Sequence, residues 1–290
     1  MDGANVDVDS RHYAFAYELH SIEDVPLDFG ARAPVPEFLA GLFLPRDKPG
    51  WFGHSSYPPR LLLLTEGGVV ILPHPSAKES AQPFALERLC FIESGHILLT
   101  GWLRFAACDF DRTLCYNTRD WKPVEAFMQR LRANFPDACA AGSGQTSVNL
   151  GDALDLKFGR ALSAELDAGE VVRAALFRPA REFAGKLLIR RRRWTAADLI
   201  ALTTRRLIWI TDRYNGGYSR YGSIARYAAA RSVARMERAR EGGARILRVT
   251  FHSCEHAWVI PLSDEHYEAA AWFESAFPLD RASIAIQPAP

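Results

Sequence analysis

The densest chemistry in the sequence lies in "KLLIRRRRW", Lys186 to Trp194. On an extended chain Arg190 and Arg192 point to one side, Arg191 and Arg193 to the other. Guanidiniums on both faces exclude a core strand, so the segment must project into solvent or against a partner. With Trp194 beside it, such an edge can hold an anion, whether a phospholipid headgroup, a nucleic-acid backbone or an acidic protein surface. The same charge also suits a plain solvated edge that resists aggregation. Arg205 and Arg206 follow at a turn and, if exposed, extend the positive patch.

Two further clusters have ligand-like residue types. "HSCEH" would set His252, Cys254 and His256 on one face of a strand, which is zinc chemistry if Cys254 is an accessible thiolate. Three ligands with no obvious fourth fit a polar hairpin tip better. "DFD", Asp109 to Asp111, could hold a divalent cation beside a phosphate, but turn formers explain it more simply. A metal-dependent hydrolase built on these tips is the alternative reading. "GSGQT" has no Lys and no preceding apolar strand, so it is not a P-loop. No G-x-S-x-G, H-E-x-x-H, C-x-x-C or dinucleotide fingerprint occurs. The residues therefore point to a non-catalytic protein, with no cofactor implied.

Bulk properties set the frame. The 290 residues are 48% hydrophobic and 24% charged, ordinary for a globular chain long enough for two domains. The net charge of +1 hides an asymmetry. Residues 1–150 carry 13 basic and 18 acidic side chains, and residues 151–290 carry 22 and 16. Nucleic acid is disfavoured by so small an excess. Cys90, Cys108, Cys115, Cys139 and Cys254 have no framework spacing, which suggests reduced, mostly buried thiols. No signal-peptide pattern opens the chain and no run of 18 apolar residues occurs, so a cytoplasmic protein without a transmembrane segment, peripheral to the membrane at most, is expected.

The elements that must position these groups are written twice. "LLLLTEGGVVIL", Leu61–Leu72, returns as "LIALTTRRLIWI", Leu199–Ile210, at an offset of 138. Leu86 matches Ile224 at the same offset. "WLRFAAC" and "TLCYNT", joined by "DFDR", are echoed by "RILRVTF" and "AWVIPL", joined by "HSCEH". Each copy ends in a helix pattern. In the first, Asp120 is the cap, Pro123 suits the opening turn, and Val124, Phe127, Met128 and Leu131 form the apolar stripe. In the second, Ser263 is the cap, with Ala269, Phe273 and Phe277 in line and Tyr267 and Ala270 beside them. Phe135 and Phe277 end the two helices at an offset grown to 142. "HYAFAYELH" alternates as a strand through Tyr13, Phe15, Tyr17 and Leu19, expected to pair with an exposed edge. Leu154, Phe158, Leu162 and Leu166 predict a helix across the joint, with Gly169 ending it. Trp51, Phe52 and Tyr57 sit in a Gly/Pro-rich loop, as a barrel plug or a recognition surface.

A small β unit repeated with one amphipathic helix per copy implies a bent antiparallel sheet or barrel closed by that helix. "DLIALTTRRLIWITD" resembles the second and third strands of bacterial pleckstrin-homology-like (PH-like) and GRAM-type domains. "IARYAAARSVARM" and the terminal helix fall where that family places its fourth strand and capping helix. The resemblance covers Glu165–Phe277 and, more weakly, Pro36–Phe135. "TEGG" has the glycines a tight hairpin favours and "TTRR" does not, so the two turns should differ.

The resemblance implies a mainly β (α+β) fold of two tandem PH-like bent β-barrels, each closed by a C-terminal amphipathic helix. Domain 1 would span 36–138 after an arm over 1–35. A linker and connecting helix would fill 139–168, domain 2 would span 169–278, and 279–290 would be a disordered tail. It also implies an anion site between or on the first strands of domain 2: Lys186, Arg190, Arg191, Arg192, Arg193, Trp194, Arg205 and Arg206. The family's Lys spaced ahead of Arg-x-Arg is not met here. The expected partner is an acidic protein surface or an anionic membrane lipid.

Overall fold

The computed structural model describes residues 15–30, 37–46, 58–135, 156–180, 182–183, 193–194, 196–214, 217–218, 222–252 and 254–277. The Trp51–Phe52–Tyr57 loop, Tyr13, Leu154, most of the expected linker and the expected tail lie outside them. The chain divides into two compact units, Met1–Leu89 with Ser94–Phe105 and Arg112–Pro136, and Cys90–Glu93 with Ala106–Asp111 and Asp137–Pro290. The second unit thus takes two short segments from the first half of the chain.

In the first unit β1 (Tyr17–Leu19), β2 (Ala40–Leu44), β3 (Arg60–Thr65), β4 (Gly68–Pro73) and β5 (Gln82–Phe84) form an antiparallel sheet in chain order. The arm's strand is therefore an edge strand, as its alternation predicts, though Phe15 is exposed. Leu61 to Leu64 are all fully buried, which is why β3 reads as an unbroken apolar run rather than an alternating one. Leu61 and Leu63 pack with Phe43, Leu72 and the Phe29 of a single helical turn, α1 (Leu27–Gly30). Next come β6 (Leu89–Ile97), β7 (Thr100–Ala107) and β8 (Asp111–Asn117), neighbours in that order. The closing helix α2 (Trp121–Ala133) buries Val124, Phe127, Met128 and Leu131 and lies on β1 and β2. Asp120 occupies its N-cap position without a side-chain cap bond.

The second unit repeats the plan. After α3 (Leu156–Glu165), β9 (Val172–Arg178) leads through a two-stranded ribbon, β10 (Glu182–Phe183) and β11 (Arg193–Trp194), to the hairpin β12 (Asp198–Thr203) and β13 (Arg206–Thr211). A second ribbon, β14 (Arg213–Tyr214) and β15 (Gly217–Tyr218), leads to β16 (Gly222–Ala229). β9-β12-β13-β16 form one antiparallel meander, and β17 (Val233–Glu241), β18 (Ala244–Phe251) and β19 (Ala257–Leu262) another. Beside β16 runs the unit's borrowed Cys90–Glu93 segment. There Arg226 Nε donates to Glu93 at 2.6 Å while its guanidinium lies 4.2 Å from the Trp209 ring centroid.

Helix α4 (Asp264–Ala276) packs on β9 and on β17–β19. Its Ala270 and Phe273, with Phe277 just beyond, join one core with Leu176, Trp209, Leu247 and Trp258. Ser263 accepts from the His266 N–H as the expected cap. Ala269 is exposed, so the buried stripe runs through Ala270 rather than Ala269. In α3, Phe158 and Leu162 are buried as expected, and Leu166 falls after the helix.

The expectation of closed barrels does not hold: among the described residues none of the three larger sheets closes on itself. Between β16 and β17 a 3-10 turn, Ala230–Ser232, interrupts the ladder, so the two meanders of the second unit enclose their core as facing open sheets plugged by α4.

Internal repetition is exact in several places. Leu61 pairs with Leu72 as Leu199 pairs with Ile210. Thr65 Oγ1 donates to the Gly68 carbonyl at 3.0 Å, and Thr203 Oγ1 lies 3.0 Å from the Arg206 carbonyl, 138 positions on. β6 and β17 have nine residues each, β7 and β18 eight, α2 and α4 thirteen. Leu98 even holds φ 50° where its counterpart 144 residues on, Gly242, holds φ 53°. The Leu86–Ile224 match fails, because Leu86 lies in a 3-10 turn and Ile224 in β16. Phe84, opposite Val69, corresponds instead to Ala228, opposite Leu207. The offset therefore jumps from 138 to 144 between β13 and β16, where the second ribbon is inserted.

Candidate functional site

Strand register places the arginine run. Asp198 pairs with both Arg178 and Thr211, and Thr211 pairs with Ile224. The β9–β12 connection, which contains Lys186 and Arg190–Arg193, and the β13–β16 connection thus leave the sheet at the same end. Arg193 and Trp194 form β11; Lys186, Arg190, Arg191 and Arg192 lie outside the described residues. This ribbon end of the second unit carries two short ribbons, β10–β11 and β14–β15, the latter written Arg-Tyr and Gly-Tyr.

Beneath the ribbons a buried polar group fixes their roots. Arg178 pairs with Asp198 and donates to the Ala196 carbonyl at 2.7 Å, while Trp209 Nε1 donates to the other Asp198 oxygen at 3.0 Å. Asp212 accepts from the Ala197 N–H at 2.7 Å, and Thr211 Oγ1 donates to the Ala197 carbonyl at 3.2 Å. Lys157 of α3 reaches Asp212 at 3.8 Å and the Gly222 carbonyl at 3.4 Å. The residues that end the first connection and those that bracket the second are thus held by one network. Pre-organised roots reduce the ordering cost of any ligand bound by the ribbons.

Burial pushes the Asp212 carboxyl above the ordinary aspartate range; the Asp198 charge adds to this, against the Ala197 N–H and Lys157. A raised folded-state pKa contributes stability below the unfolded pKa and loses it as pH rises through the folded value. At neutral pH the ionised form is therefore a liability. Asp212→Asn, which keeps an acceptor for Ala197, is expected to melt at or above the parent at pH 7. The gap should close as pH falls toward about 4. Thermal melts across that range check it; a variant less stable at pH 7 would show the charge to be favourable.

Arg205 and Arg206 do not extend this patch. They sit at the Leu202–Leu207 end of the hairpin, with roughly 17 Å of strand between Thr203 and Asp198. Arg206 is 1% exposed. Its Nε and Nη2 take the two oxygens of Glu170 at 3.1 and 2.5 Å, and Nη2 also reaches Asp167 and the Glu165 carbonyl at 3.0 Å each. Arg205 pairs with Asp167 at 3.3 Å. Both belong to a structural ion-pair cluster.

No family model matches the chain, and no curated protein or solved structure is significantly similar to it.

In the first unit the β4–β5 connection is held by an ion-pair group of its own. Arg60 and Arg112 both grip Glu79. Burial alone would raise that carboxyl, but hydrogen bonds and charge from the two arginines leave it below the usual range.

The hairpin tips behave differently from the sequence expectation. His252, Cys254 and His256 do not share a strand face. The His252 N–H is taken by the Ser232 carbonyl at 2.9 Å, and His256 Nε2 lies 3.6 Å from Asp111. Cys254 finds Cys90, 164 residues away, and the two are joined as a disulfide with Cα atoms 7.0 Å apart. The expectation of mostly buried, reduced thiols is thereby corrected among the described residues: Cys90 is buried, Cys108 exposed, and Cys115 and Cys254 between, while Cys139 lies outside them. Cys108 Sγ donates to the His252 carbonyl at 3.8 Å, and Ser232 Oγ donates to the Cys90 carbonyl at 3.1 Å. The sulfurs of Cys90, Cys108 and Cys254 lie within 4.8 Å of one another. Sequence reasoning paired the two tips as twin positions but had no signal bringing Cys90 to them. Asp198, a carboxylate opening an otherwise apolar strand, was the available clue to the ribbon-end network.

Proposed function

We propose that this chain is a non-catalytic binding protein of two PH-like units whose second unit holds anionic phospholipid headgroups at its ribbon end. The PH-like reading is supported by the order of elements. In the second unit the "DLIALT" and "RLIWIT" runs are the second and third strands of a four-stranded meander, "SIARYAA" lies in the fourth, and a three-stranded meander and a closing helix follow. The first unit has the same succession after its edge strand.

The observation that carries the binding reading is the departure of both ribbons from one end of one sheet. The two connections rooted side by side there contain, in their sequence, the arginine run, Trp194, Arg213, Tyr214 and Tyr218. Arginines interleaved with aromatic residues suit a leaflet surface, where cations meet phosphate and amphipathic rings sit at headgroup level. No helix among the described residues is long and apolar enough to cross a membrane, so the contact would be peripheral.

Sedimentation with phosphatidylcholine vesicles, with and without phosphatidylserine, tests this. Binding is expected only with the anionic lipid and is expected to weaken with salt. Arg190→Ala with Arg192→Ala should lower partitioning about 30-fold, at about 1 kcal/mol per cation. Arg205→Ala, at the opposite end of the hairpin, should leave it unchanged. Absence of binding at low salt would end the lipid reading, and capture of an acidic protein through the same arginines would replace it.

A further inference from the structure

We infer that Cys90, Cys108 and Cys254 form a three-thiolate site for one soft metal ion, Zn(II) or Cu(I), in the second unit. A disulfide accounts for two sulfurs of the cluster, while the third, Cys108 Sγ, has a long 3.8 Å contact to the His252 carbonyl. Cys108 comes from the β7–β8 tip, Cys254 from the β18–β19 tip and Cys90 from β6, yet all three sulfurs fall within 4.8 Å of one another. Thiolates bound to zinc at about 2.3 Å in a tetrahedron stand about 3.8 Å apart, so the cluster needs only small shifts to accept an ion. The Cα atoms of Cys90 and Cys254, at 7.0 Å, stand wider than the usual disulfide span of about 4.4–6.8 Å. That width suits two sulfurs sharing a metal.

The surroundings fit the same chemistry. Thiolates select soft ions such as Cu(I) and Zn(II). Cys90 is 2% exposed and belongs to the main core, with Phe91 beside it in ring contact with Phe251, Trp258 and His256. Exposed Cys108 on the other side provides the entry path. An ion there is shielded from water on its inner side, which strengthens metal–thiolate bonds and restrains exchange. The three sulfurs suffice for Cu(I), and Zn(II) would take a fourth ligand from solvent.

Disulfide and metal are mutually exclusive, because both use Cys90 and Cys254. Two molecules of a small thiol reduce the disulfide, giving two cysteine thiols and the reductant's own disulfide. The three thiols then bind the ion and release three protons.

The test uses the full chain, reduced with a small thiol under native conditions, freed of reductant and loaded with Zn(II) or Cu(I) separately. Metal analysis after gel filtration should find one ion per chain. Cys108→Ser and Cys254→Ser should each lose it, Cys115→Ser should keep it, and oxidation should release it as the Cys90–Cys254 bond re-forms. Cys108 lies on an exposed turn, so its variant should fold, which an unchanged melting temperature verifies. Three results each overturn the inference: a reduced chain that retains neither ion, a Cys108→Ser chain that binds as well as the parent, or a disulfide that resists native reduction.

Discussion

Replacing Arg206 by alanine is expected to destabilise the second unit by about 3–5 kcal/mol, because it strands the buried carboxylate of Glu170. Glu170 has no exposed side-chain surface and also receives the Thr203 hydroxyl at 2.5 Å. Removing the guanidinium leaves a charge in the interior with two neutral donors, the Thr203 hydroxyl and the Asp167 N–H at 3.0 Å. Arg206→Lys should recover only part of the loss, since a single ammonium cannot repeat the paired contacts to both oxygens. Urea denaturation of the parent and both variants reads the effect directly. A loss below about 1 kcal/mol, the range of surface pairs, would show that the cluster is more hydrated than its burial implies.

The equivalent place in the first unit supports the second prediction. Gly68 stands 138 residues before Arg206 and adopts φ +133°, a conformation that other residues rarely adopt. A Cβ there would meet the Phe84 carbonyl oxygen at 2.1 Å, backbone that cannot yield without moving β5. Gly68→Ala is expected to cost roughly 3–5 kcal/mol, at the upper end for a single substitution. At roughly 2–4 °C per kcal/mol, the melting temperature should fall by about 10 °C. Gly67→Ala, whose nearest neighbour would be Thr65 Oγ1 at 3.8 Å, should be nearly neutral and serves as the control. Equal effects from the two would refute the conformational argument.

These twin positions also show what the sequence discloses. The 138-residue echo is real at the level of individual bonds: the two threonines make the same turn contact although one turn uses glycines and the other arginines. Such turns differ in backbone, as "TEGG" against "TTRR" suggests. Helix faces were legible wherever large residues marked them, as with Phe127, Met128 and Leu131. Ala269 and Ala270 were not separable, because a methyl group weighs little on either side of a stripe. What the sequence concealed lies at long range. Nothing local pairs Cys90 with Cys254 or sets Arg206 against Glu170 instead of solvent. Side chains 36 to 164 positions apart meet only once the strand order is known. The same holds for barrel closure, which depends on hydrogen bonds at the sheet corner rather than on any residue pattern.

The discontinuous make-up of the second unit bears on how the chain can be dissected. Residues 137–290 look like a self-sufficient half, yet they omit Cys90–Glu93 and Ala106–Asp111. Excised alone, that half would leave β16 with bare amide and carbonyl groups along one side, Arg226 without its carboxylate, and Cys254 without either sulfur neighbour. Such a truncation invites edge-to-edge association. The duplicated halves are thus legible as copies without being separable as parts, and during synthesis the earlier half must wait for the later one to complete what it has lent.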